Sequence, residues 1–351
     1  MAKINKYIEI VRSTTPSLSS MGQKSCGMIK AVLEQQYQKV GVTFVSDTND
    51  LDRLVNKQPD LVFLGVKNVP SEQDPESLVW VSDYLDKRGI NYTGSTQSAI
   101  MLDFDKPAAK QIVRSSGLHS AAYFTAQPGQ YTGSHDLPLN FPLFIKPPNG
   151  GGGKGIGADS VARNFVSYQQ KVQSIYDKYG TESLVETYLP GREFSVAIIE
   201  NDSNKELLAM PIELITEQNS SGDRILGQKV KSDDTEHVIA VAEGHIRQAV
   251  VQLAKDVFEV LGARDYGRID IRLNENNEPH FLEANLIPGL AQHDFTSYFT
   301  SACIINKSMN YEVIIGLLAE IGLSHGGLYD ATSSGSAMLI KKSLEPSLLT
   351  T

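Results

Sequence analysis

The sequence is poor in cysteine, since its 351 residues include Cys26 and Cys303 and no others. Two cysteines so far apart cannot form a disulfide framework, and their spacing is not that of a metal site. Such scarcity is typical of a reducing compartment, so we expect a cytoplasmic protein with two packed thiols. No apolar stretch approaches the roughly 18–20 residues that span a bilayer. The short apolar run near the start contains Glu9, which argues against a signal peptide or membrane anchor.

Positive charge is in deficit as well. Lysine and arginine total 32, aspartate and glutamate total 41, and the net charge is −9. A protein whose main partner is nucleic acid usually carries the opposite bias, so we expect no such partner. A basic cleft can still hold a small polyanion, because a cleft concentrates its own field. The apolar (41%) and charged (21%) fractions are ordinary for a globular protein, and the length predicts two or three domains.

Short strands and helices alternate through the first hundred residues, which predicts an open parallel α/β domain. This part has no phosphate-binding glycine pattern, so we do not expect it to bind a nucleotide. From about residue 97 the pattern changes to mixed α+β. The predicted helices lie at 22–37, 51–56, 75–87, 105–115, 165–179, 237–261 and 311–321, and the predicted strands at 7–11, 40–45, 61–66, 90–93, 121–125, 143–146, 156–161, 183–188, 193–199, 207–215, 266–273 and 279–285.

A glycine cluster follows the predicted strand at 143–146 and runs from Gly150 to Gly157, interrupted by Lys154 and Ile156. Backbone N–H groups of such a loop can wrap phosphate oxygens, because no Cβ blocks the approach. A Walker A loop is excluded, since Pro148 and Gly155 occupy positions that need Gly and Ser or Thr. A dinucleotide-binding glycine pattern is met in spacing, but a predicted strand follows where a helix is required. A flap between two antiparallel strands and a floppy surface loop remain as alternatives.

The segment from Tyr266 to Leu290 is predicted to contain a β-hairpin with a two-residue turn at Asn276-Asn277. Pairing about that turn puts Asp270 directly opposite Glu283. Strand alternation assigns the other side chains. Arg268 and Arg272 share the face of Asp270, and Phe281 and Asn285 share the face of Glu283.

Two opposed carboxylates on one face of a ladder repel each other unless something neutralises them. Mg²⁺ would do so, because it prefers oxygen ligands and binds through one or two carboxylates plus substrate phosphates. Asn285 adds a neutral oxygen, and Arg268 can pair with a phosphate oxygen. The alternative is a salt-bridged surface hairpin, in which arginines neutralise both acids. The Pro288-Gly289 loop favours a metal site, because it exposes backbone N–H groups beside it.

Weaker evidence lies in the predicted strand-turn-strand segment from Ser183 to Glu193. Glu186 and the backbone of Tyr188 and Leu189 can contact an adenine edge, and Glu193 can hold ribose hydroxyls. An ordinary hairpin connection explains the same residues equally well. Solvated side chains are likewise the usual explanation for three lysines taken singly, namely Lys106, Lys229 and Lys231.

Taken together, these motifs resemble the ATP-grasp superfamily, and within it the D-alanine–D-alanine ligase-like proteins. The resemblance extends from about Asn91 to about Leu323 and is fainter in the N-terminal domain. Its motifs stand in the order and rough spacing of the family. They are Ile90–Ser95, Phe104-Asp105-Lys106, Ile145-Lys146-Pro147, Val185-Glu186 with Gly191–Val196, Lys229 with Ser232–Thr235, Gly267–Asp270, and Leu282–Asn285 with Pro288-Gly289.

The resemblance implies an ATP-grasp fold of α/β and α+β class with an N-terminal open parallel α/β (pre-ATP-grasp) domain. It also implies an ATP-dependent carboxylate–amine ligase that works through an acyl phosphate and uses Mg²⁺, with Mn²⁺ as an alternative. The implied nucleotide contacts are Lys106, Lys146, Gly151, Gly152, Gly153, Lys154, Glu186, Tyr188, Leu189, Glu193 and Lys229. The implied metal ligands are Asp270, Glu283 and Asn285, and the implied catalytic groups are Arg268, Lys229 and Gly289.

The amino-acid pockets depart from the family pattern. The D-alanine–D-alanine ligases carry a glutamate in an N-terminal Gly-Gly-x-Ser-x-Glu stretch, whereas the corresponding Arg12–Ser20 has no acid. Their serine after Pro-Gly is replaced here by Gln292-His293-Asp294, and an aspartate would repel a substrate carboxylate. We therefore expect an intact ATP site with small amino-acid-type substrates of another kind, and we place the Thr14–Ser20 loop over the carboxylate substrate. The alternatives are D-alanine–D-alanine ligase itself, an ATP-grasp member of a natural-product pathway that uses a non-standard amino acid or an imine-forming acceptor, and a non-catalytic nucleotide-binding protein.

The predicted organisation has four parts. Residues 1–96 form an N-terminal substrate domain and 97–185 a central lobe with the glycine flap. Residues 186–330 form a C-terminal lobe with the metal site, and 331–351 a peripheral tail. Assembly into a homodimer is left open.

Overall fold

The computed structural model describes residues 2–15, 18–74, 76–201, 206–292, 295–307 and 309–325. Its N-terminal lobe is built on a parallel three-stranded sheet in the order β2-β1-β3, which confirms the predicted class of this domain. Apolar residues on both faces of the central strand bury it between helices, as parallel sheets require. The elements are β1 (Ile4–Arg12), α1 (Gln23–Gln36), β2 (Tyr37–Phe44), α2 (Thr48–Val55) and β3 (Leu61–Leu64).

A small hairpin and three helices lead to the second lobe. The hairpin pairs β4 (Asn68–Pro70) with β5 (Leu78–Trp80), and α3 is Val81–Asp86. The next helices are α4 (Gln97–Phe104) and α5 (Lys106–Ser115). The Asp105 side chain caps α5 by accepting from Ala108 N, and Pro107 lies in the first turn, where a missing N–H costs nothing.

The central sheet is antiparallel and has the order β6-β9-β7-β8. Helix α6 (Phe165–Tyr179) packs on it, begins with a capping box at Asn164 and ends at Gly180 in the left-handed region. The strands are β6 (Tyr123–Ala126), β7 (Leu143–Lys146), β8 (Val161–Ala162) and β9 (Ser183–Thr187). Since β7 pairs with β8, the glycine cluster is the connection between two antiparallel strands, as one of the two alternatives required.

The C-terminal sheet is a five-stranded antiparallel sheet in the order β12-β11-β10-β13-β14. One face buries α8 (His245–Val260) together with α4 and α5, and the other face packs against α9 (Tyr298–Lys307). The strands are β10 (Glu193–Glu200), β11 (Leu207–Ile215), β12 (His237–Ala240), β13 (Tyr266–Leu273) and β14 (Pro279–Asn285), and a short helix α7 (Gln228–Asp233) precedes β12.

Packing between the lobes crosses the predicted domain boundaries. Helix α10 (Tyr311–Ser324) lies against the N-terminal sheet, where Ile314 and Leu318 share one core with Ile8 and Ile10 of β1. Helices α4 and α5 pack with the C-terminal sheet, and the predicted boundary between 185 and 186 falls within β9. The predicted tail at 331–351 lies outside the described residues. The four ranges stay predictions.

Several predicted elements are wrong. The predicted helix 237–261 is strand β12 followed by α8, because Val238 and its neighbours pair with β11 and Gly244 interrupts the chain at φ 151°. The predicted helix 75–87 is β5 followed by the shorter α3. The predicted strand 156–161 is a 3₁₀ turn at Ala158–Ser160 before β8, and the strand predicted at 90–93 is reduced to a single bridge between Tyr92 and Val62.

Helix α9 was not predicted from the sequence. Its buried residues pack against the C-terminal sheet, and the local sequence pattern does not indicate that packing. No helix in the described ranges is long and apolar enough to cross a bilayer.

Candidate active site

The acidic hairpin has the predicted carboxylate pair, although its turn differs from the prediction. Asp270 is paired with Glu283 and Arg268 with Asn285. The loop is one residue longer than predicted, since Asn274 pairs with Glu278 and Asn277 adopts φ 62°. A bulge restores the expected register, because Ile271 pairs with Phe281 and leaves Leu282 unpaired.

The bulge also changes which side chains face the cleft. Phe281 is fully buried in the core of the C-terminal sheet with Ala284, so the prediction that it shares the face of Glu283 is wrong. Leu282 lines the cleft instead, next to Glu283.

Asp270 sits in a dense polar cluster. Its Oδ1 accepts from Ser195 Oγ at 2.7 Å and from Arg268 Nε at 3.0 Å. Its Oδ2 accepts from Arg268 Nη2 at 3.0 Å and from Asn285 Nδ2 at 3.4 Å. Ser195 is fully buried on β10, so a central strand fixes the position of Asp270.

Glu283 is surrounded by lysines. Its Oε2 lies 3.5 Å from Nζ of Lys106, which is buried at the start of α5. Burial disfavours the charged form of Glu283, but Lys106, Lys231 and Lys146 outweigh burial and hold its pKa at about 2. Glu283 is therefore an ionised carboxylate that already attracts cations.

Glu186, predicted to contact adenine, bridges two buried lysines. Lys110 Nζ lies 2.6 Å from its Oε1, and Lys146 Nζ lies 2.7 Å from its Oε2. Burial alone would raise the pKa of Glu186, but the two lysines outweigh it and lower that pKa. Both carboxylate oxygens of Glu186 are thus occupied by a lysine, and its adenine contact stays a prediction.

A cleft between the central and C-terminal sheets collects five of the eleven predicted nucleotide contacts. Tyr188 stacks on Phe144 with ring centroids 6.4 Å apart, and Ile156 and Ile225 complete an apolar pocket suited to a planar base. The Tyr188 N–H already donates to Pro142 O, so that backbone donor is not free for a base. The cleft is also lined by the predicted residues Lys146, Glu186, Leu189, Glu193, Asp270 and Glu283.

Glu193 is held by Arg272, whose Nη1 donates to its Oε2 at 2.8 Å. Burial raises the pKa of Glu193, and Arg272 with Lys231 offsets that effect only in part. A carboxylate in this setting accepts hydroxyl donors, which agrees with the predicted ribose contact.

The glycine cluster reaches the acidic hairpin through Lys106, whose Nζ contacts both Gly150 O and Glu283 Oε2. Gly153 packs tightly, since a Cβ there would lie 2.9 Å from Gln228 N at the start of α7. Gly151 and Gly152 are exposed. Lys154 is exposed and its Nζ lies 5.2 Å from the centroid of the Tyr179 ring, at the end of α6.

Helix α7 brings a different lysine to the cleft from the one predicted. Lys231 lines it, whereas Lys229 is exposed on the same helix. The two positions differ by about 200° around a helix, so one turn of α7 cannot direct both to one site. Lys229 keeps its predicted phosphate contact as a prediction.

The N-terminal lobe reaches the hairpin beside Gly289. A Cβ at Gly289 would lie 3.8 Å from both Ser20 O and Ser297 Cβ. Ser20 N donates to Gly65 O, which ties the loop before α1 to the end of β3. Ser20, the last residue of the predicted Thr14–Ser20 loop, therefore lies at the lobe interface. Pro16 and Ser17 within it, and His293 and Asp294 after Gly289, are outside the described residues.

Lys110, Lys231, Arg272 and Ser195 were missing from the predicted site. Helical spacing from Lys106 could have suggested Lys110, four residues later on the same face. Strand alternation already put Arg272 on the correct face. Ser195 and Lys231 carry no local pattern that distinguishes them from their neighbours.

Comparisons with known proteins agree with this geometry. A family model described as D-ala D-ala ligase C-terminus matches residues 112–320. A D-alanine–D-alanine ligase of Hydrogenovibrio crunogenus is 29% identical over 232 residues, 65% of this chain and 69% of the relative. The uncharacterized protein y4sG of Sinorhizobium fredii is 29% identical over 238 residues, 67% of each chain.

A crystal structure of D-alanine–D-alanine ligase from Bacillus anthracis complexed with ATP has a TM-score of 0.72. It is 17% identical and covers 92% of this chain and 99% of its own. This likeness shows the ATP-grasp fold. Because the family model spans more than half of the sequence, the chain belongs to the D-alanine–D-alanine ligase family of ATP-grasp carbon–nitrogen ligases.

Proposed function

We propose that this chain joins a small carboxylate to an amine at the expense of ATP. The observation that carries the proposal is one cleft in which the Asp270–Glu283 pair shares its walls with Lys146 and Lys231. Two acids for a cation and two lysines for phosphates are what a metal triphosphate requires. The ATP complex of the Bacillus anthracis ligase supports ATP as the nucleotide.

The residues present fit Mg²⁺ as the metal. Asp270 and Glu283 are opposed carboxylates on paired strands, and Asn285, whose Nδ2 donates to Asp270 Oδ2, carries the neutral amide oxygen of the predicted set. The described residues contain no group of three or more His, Cys, Asp or Glu around one point. Phosphate and water oxygens would therefore complete the coordination, as is usual for Mg²⁺ and also open to Mn²⁺. When bound, the metal would neutralise charge on the phosphate oxygens.

The reaction has two displacements. A carboxylate oxygen of the first substrate attacks the γ-phosphorus, the bond to the β–γ bridging oxygen breaks, and ADP leaves. The amine nitrogen then attacks the acyl carbon, inorganic phosphate leaves with the C–O bonding pair, and the nitrogen loses a proton. Both steps need positioned charge rather than a side-chain nucleophile.

The chain's own groups supply that charge. Lys106 and Lys146 would hold phosphate oxygens, with Lys229 as a further predicted contact. Arg268 is partly buried beside Asp270 and would stabilise the transferred phosphoryl group. The Gly289 backbone would contribute an N–H next to the acyl carbon, because its loop directly follows Asn285. The lobe interface at Ser20 would hold the carboxylate substrate.

The relatives named D-alanine–D-alanine ligase make D-alanine the first substrate to test. The missing acid in Arg12–Ser20 favours another amino-acid-type substrate, and homodimer formation stays a prediction.

The test is a phosphate-release screen with ATP, Mg²⁺ and pairs of amino acids. We expect equal ADP and phosphate release that requires both a carboxylate and an amine, and its loss in Asp270→Ala. Release with D-alanine alone would identify a D-alanine–D-alanine ligase, and ATP binding without any substrate-dependent release would identify a nucleotide-binding protein.

A further inference from the structure

Lys110 is a buried lysine outside the predicted site and outside the lining of the nucleotide cleft. Its side chain is fully buried on α5, with Nζ 2.6 Å from Glu186 Oε1. The same Nζ donates to Ser120 Oγ and to Phe281 O, each at 3.2 Å. Removing a charge from water is costly unless its partners compensate, so this position between two sheets needs an explanation.

The contact with Glu186 connects Lys110 to Lys146, a lysine predicted to contact phosphate. Glu186 uses one carboxylate oxygen for Lys110 and the other for Lys146. The carboxylate is thus fixed at both ends, and Lys146 is fixed with it. Without Lys110, Glu186 could rotate and Lys146 would lose its orientation in the cleft.

The hydrogen bond to Phe281 O connects Lys110 to Asp270 and Glu283, the two predicted metal-binding carboxylates. Phe281 is the residue before the bulge at Leu282, which brings Glu283 opposite Asp270. Phe281 O accepts from Lys110 and from Ser120 Oγ, while Phe281 N donates to His119 O. These bonds hold the strand at the point where its register shifts, so they determine the position of Glu283.

We propose that Lys110 is a positioning residue of the nucleotide site, which fixes Lys146 and Glu283 relative to each other without touching nucleotide or metal. The proposal rests on the proposed function, because it presupposes that the cleft binds MgATP. It differs from a purely structural role in that loss of the Lys110 charge alone should weaken MgATP binding in a folded protein.

The charge of Lys110 can be removed by pH. Burial lowers the pKa of Lys110 to about 8, although Glu186 opposes the shift. The titratable groups facing it are Lys106 on its own helix, Glu186 and Lys146 of the central sheet, and Glu283 and His280 of β14. Glu186 and Glu283 have lowered pKa values and stay ionised above neutral pH, burial lowers the pKa of His280 so that it stays neutral, and Glu186 raises that of Lys146 against burial.

The test is calorimetric titration of the full chain with MgATP between about pH 7 and about pH 9. The variants are Lys110→Met, Lys110→Arg and, as a matched control, Lys57→Met. Lys57 lies 2.7 Å from buried Glu9 in the N-terminal lobe, so its loss also breaks a lysine–glutamate pair. We expect Lys110→Met to weaken MgATP binding roughly tenfold or more, the scale of a lost charged hydrogen bond. Lys110→Arg should bind within about threefold of wild type, and Lys57→Met should bind like wild type.

The pH profile gives a second readout that needs no variant. Wild-type affinity should fall as pH rises through the pKa of Lys110, and Lys110→Arg should show no such fall, because arginine stays charged. A flat wild-type profile, or Lys110→Met binding as tightly as wild type, would overturn the proposal. An equal loss of MgATP affinity in Lys57→Met would show that Lys110→Met acts by general destabilisation, which would also overturn the proposal. Wild type that fails to bind MgATP at any pH would overturn the proposed function as well, which separates the two failures.

Discussion

Lys106 Nζ lies between Gly150 O and Glu283 Oε2, so one buried ammonium joins the glycine cluster to the acidic hairpin. These two segments are more than a hundred residues apart in sequence. The contact brings the two most informative motifs of the sequence into one site.

The opposed acids predict a specific metal dependence. In Asp270→Asn and in Glu283→Gln, ATP affinity should lose its dependence on Mg²⁺, and turnover should fall roughly hundredfold or more. Calorimetric titration with ATP in Mg²⁺ and in chelator measures this directly. Glu278→Gln, on the exposed turn of the same hairpin, is the control and should behave as wild type. If ATP affinity still depends on Mg²⁺ in both acid variants, the metal site at Asp270 and Glu283 is contradicted.

Lys231 and Lys229 offer a direct comparison on one short helix. We expect Lys231→Met to weaken MgATP binding about tenfold, because Lys231 lines the cleft and lies near Glu283 and Glu193. Lys229→Met tests the contact implied by the family resemblance. A larger loss in Lys229→Met than in Lys231→Met would show that α7 turns when the nucleotide binds.

Alanine substitutions at Gly152 and Gly153 distinguish the effect of backbone strain from the effect of disturbing the contact between the glycine cluster and α7. Gly152 and Gly153 both have positive φ, at 67° and 74°, so alanine costs about 1 kcal/mol at either. A Cβ on Gly153 would also meet Gln228 N at 2.9 Å, whereas nothing lies within 4 Å of one on Gly152. Trypsin should therefore cleave after exposed Lys154 faster in Gly153→Ala than in Gly152→Ala. Equal cleavage rates would mean that the loop does not depend on its contact with α7.

Acid should destabilise the protein through Glu283. Its folded pKa of about 2 is below its ordinary value of 4.5. Its contribution to stability is therefore present above about pH 4.5 and is lost as pH falls toward 2. In metal-free buffer, the denaturant midpoint of wild type should fall more steeply over this window than that of Glu283→Gln. Parallel acid profiles would show that the lysines around Glu283 do not stabilise its ionised form.

The hairpin turn gives a stability prediction. Asn277 has φ 62°, which is strained for most side chains and acceptable for asparagine and glycine. Asn277→Ala should lower the free energy of unfolding by about 1 kcal/mol, and Asn277→Gly should leave it nearly unchanged. Chemical denaturation measures both. A loss in Asn277→Gly as large as in Asn277→Ala would indicate that the asparagine side chain, not φ, stabilises the loop.

Local patterns predicted four of the five strands of the C-terminal sheet, namely β10, β11, β13 and β14. The opposition of Asp270 and Glu283 was predicted and is observed, yet two deviations from the prediction compensate to produce it. The longer loop shifts the pairing by one residue and the bulge at Leu282 shifts it back. Nothing in the sequence near Leu282 marks a bulge, and the hydrogen bonds that Phe281 O accepts beside it come from Lys110 and Ser120, outside the hairpin.

The helix predicted at 237–261 failed for a related reason. Val238 and Ile239 suit a helix or a strand, and the exposed edge of β11 decides between them. The burial of Lys110 is not evident from its helix, because a lysine on a helix is usually solvated and only the assembled sheets bury this one. Helical spacing from Lys106 indicates its face, but its partners Glu186 and Phe281 are distant in sequence.

Helix α10 completes a core that begins with β1, so the first strand depends on residues added some three hundred positions later. During synthesis, the apolar face of the N-terminal sheet must wait exposed, or covered by a chaperone, until that helix leaves the ribosome. Stop codons placed just before Tyr311 should thus yield aggregating material rather than a smaller working enzyme.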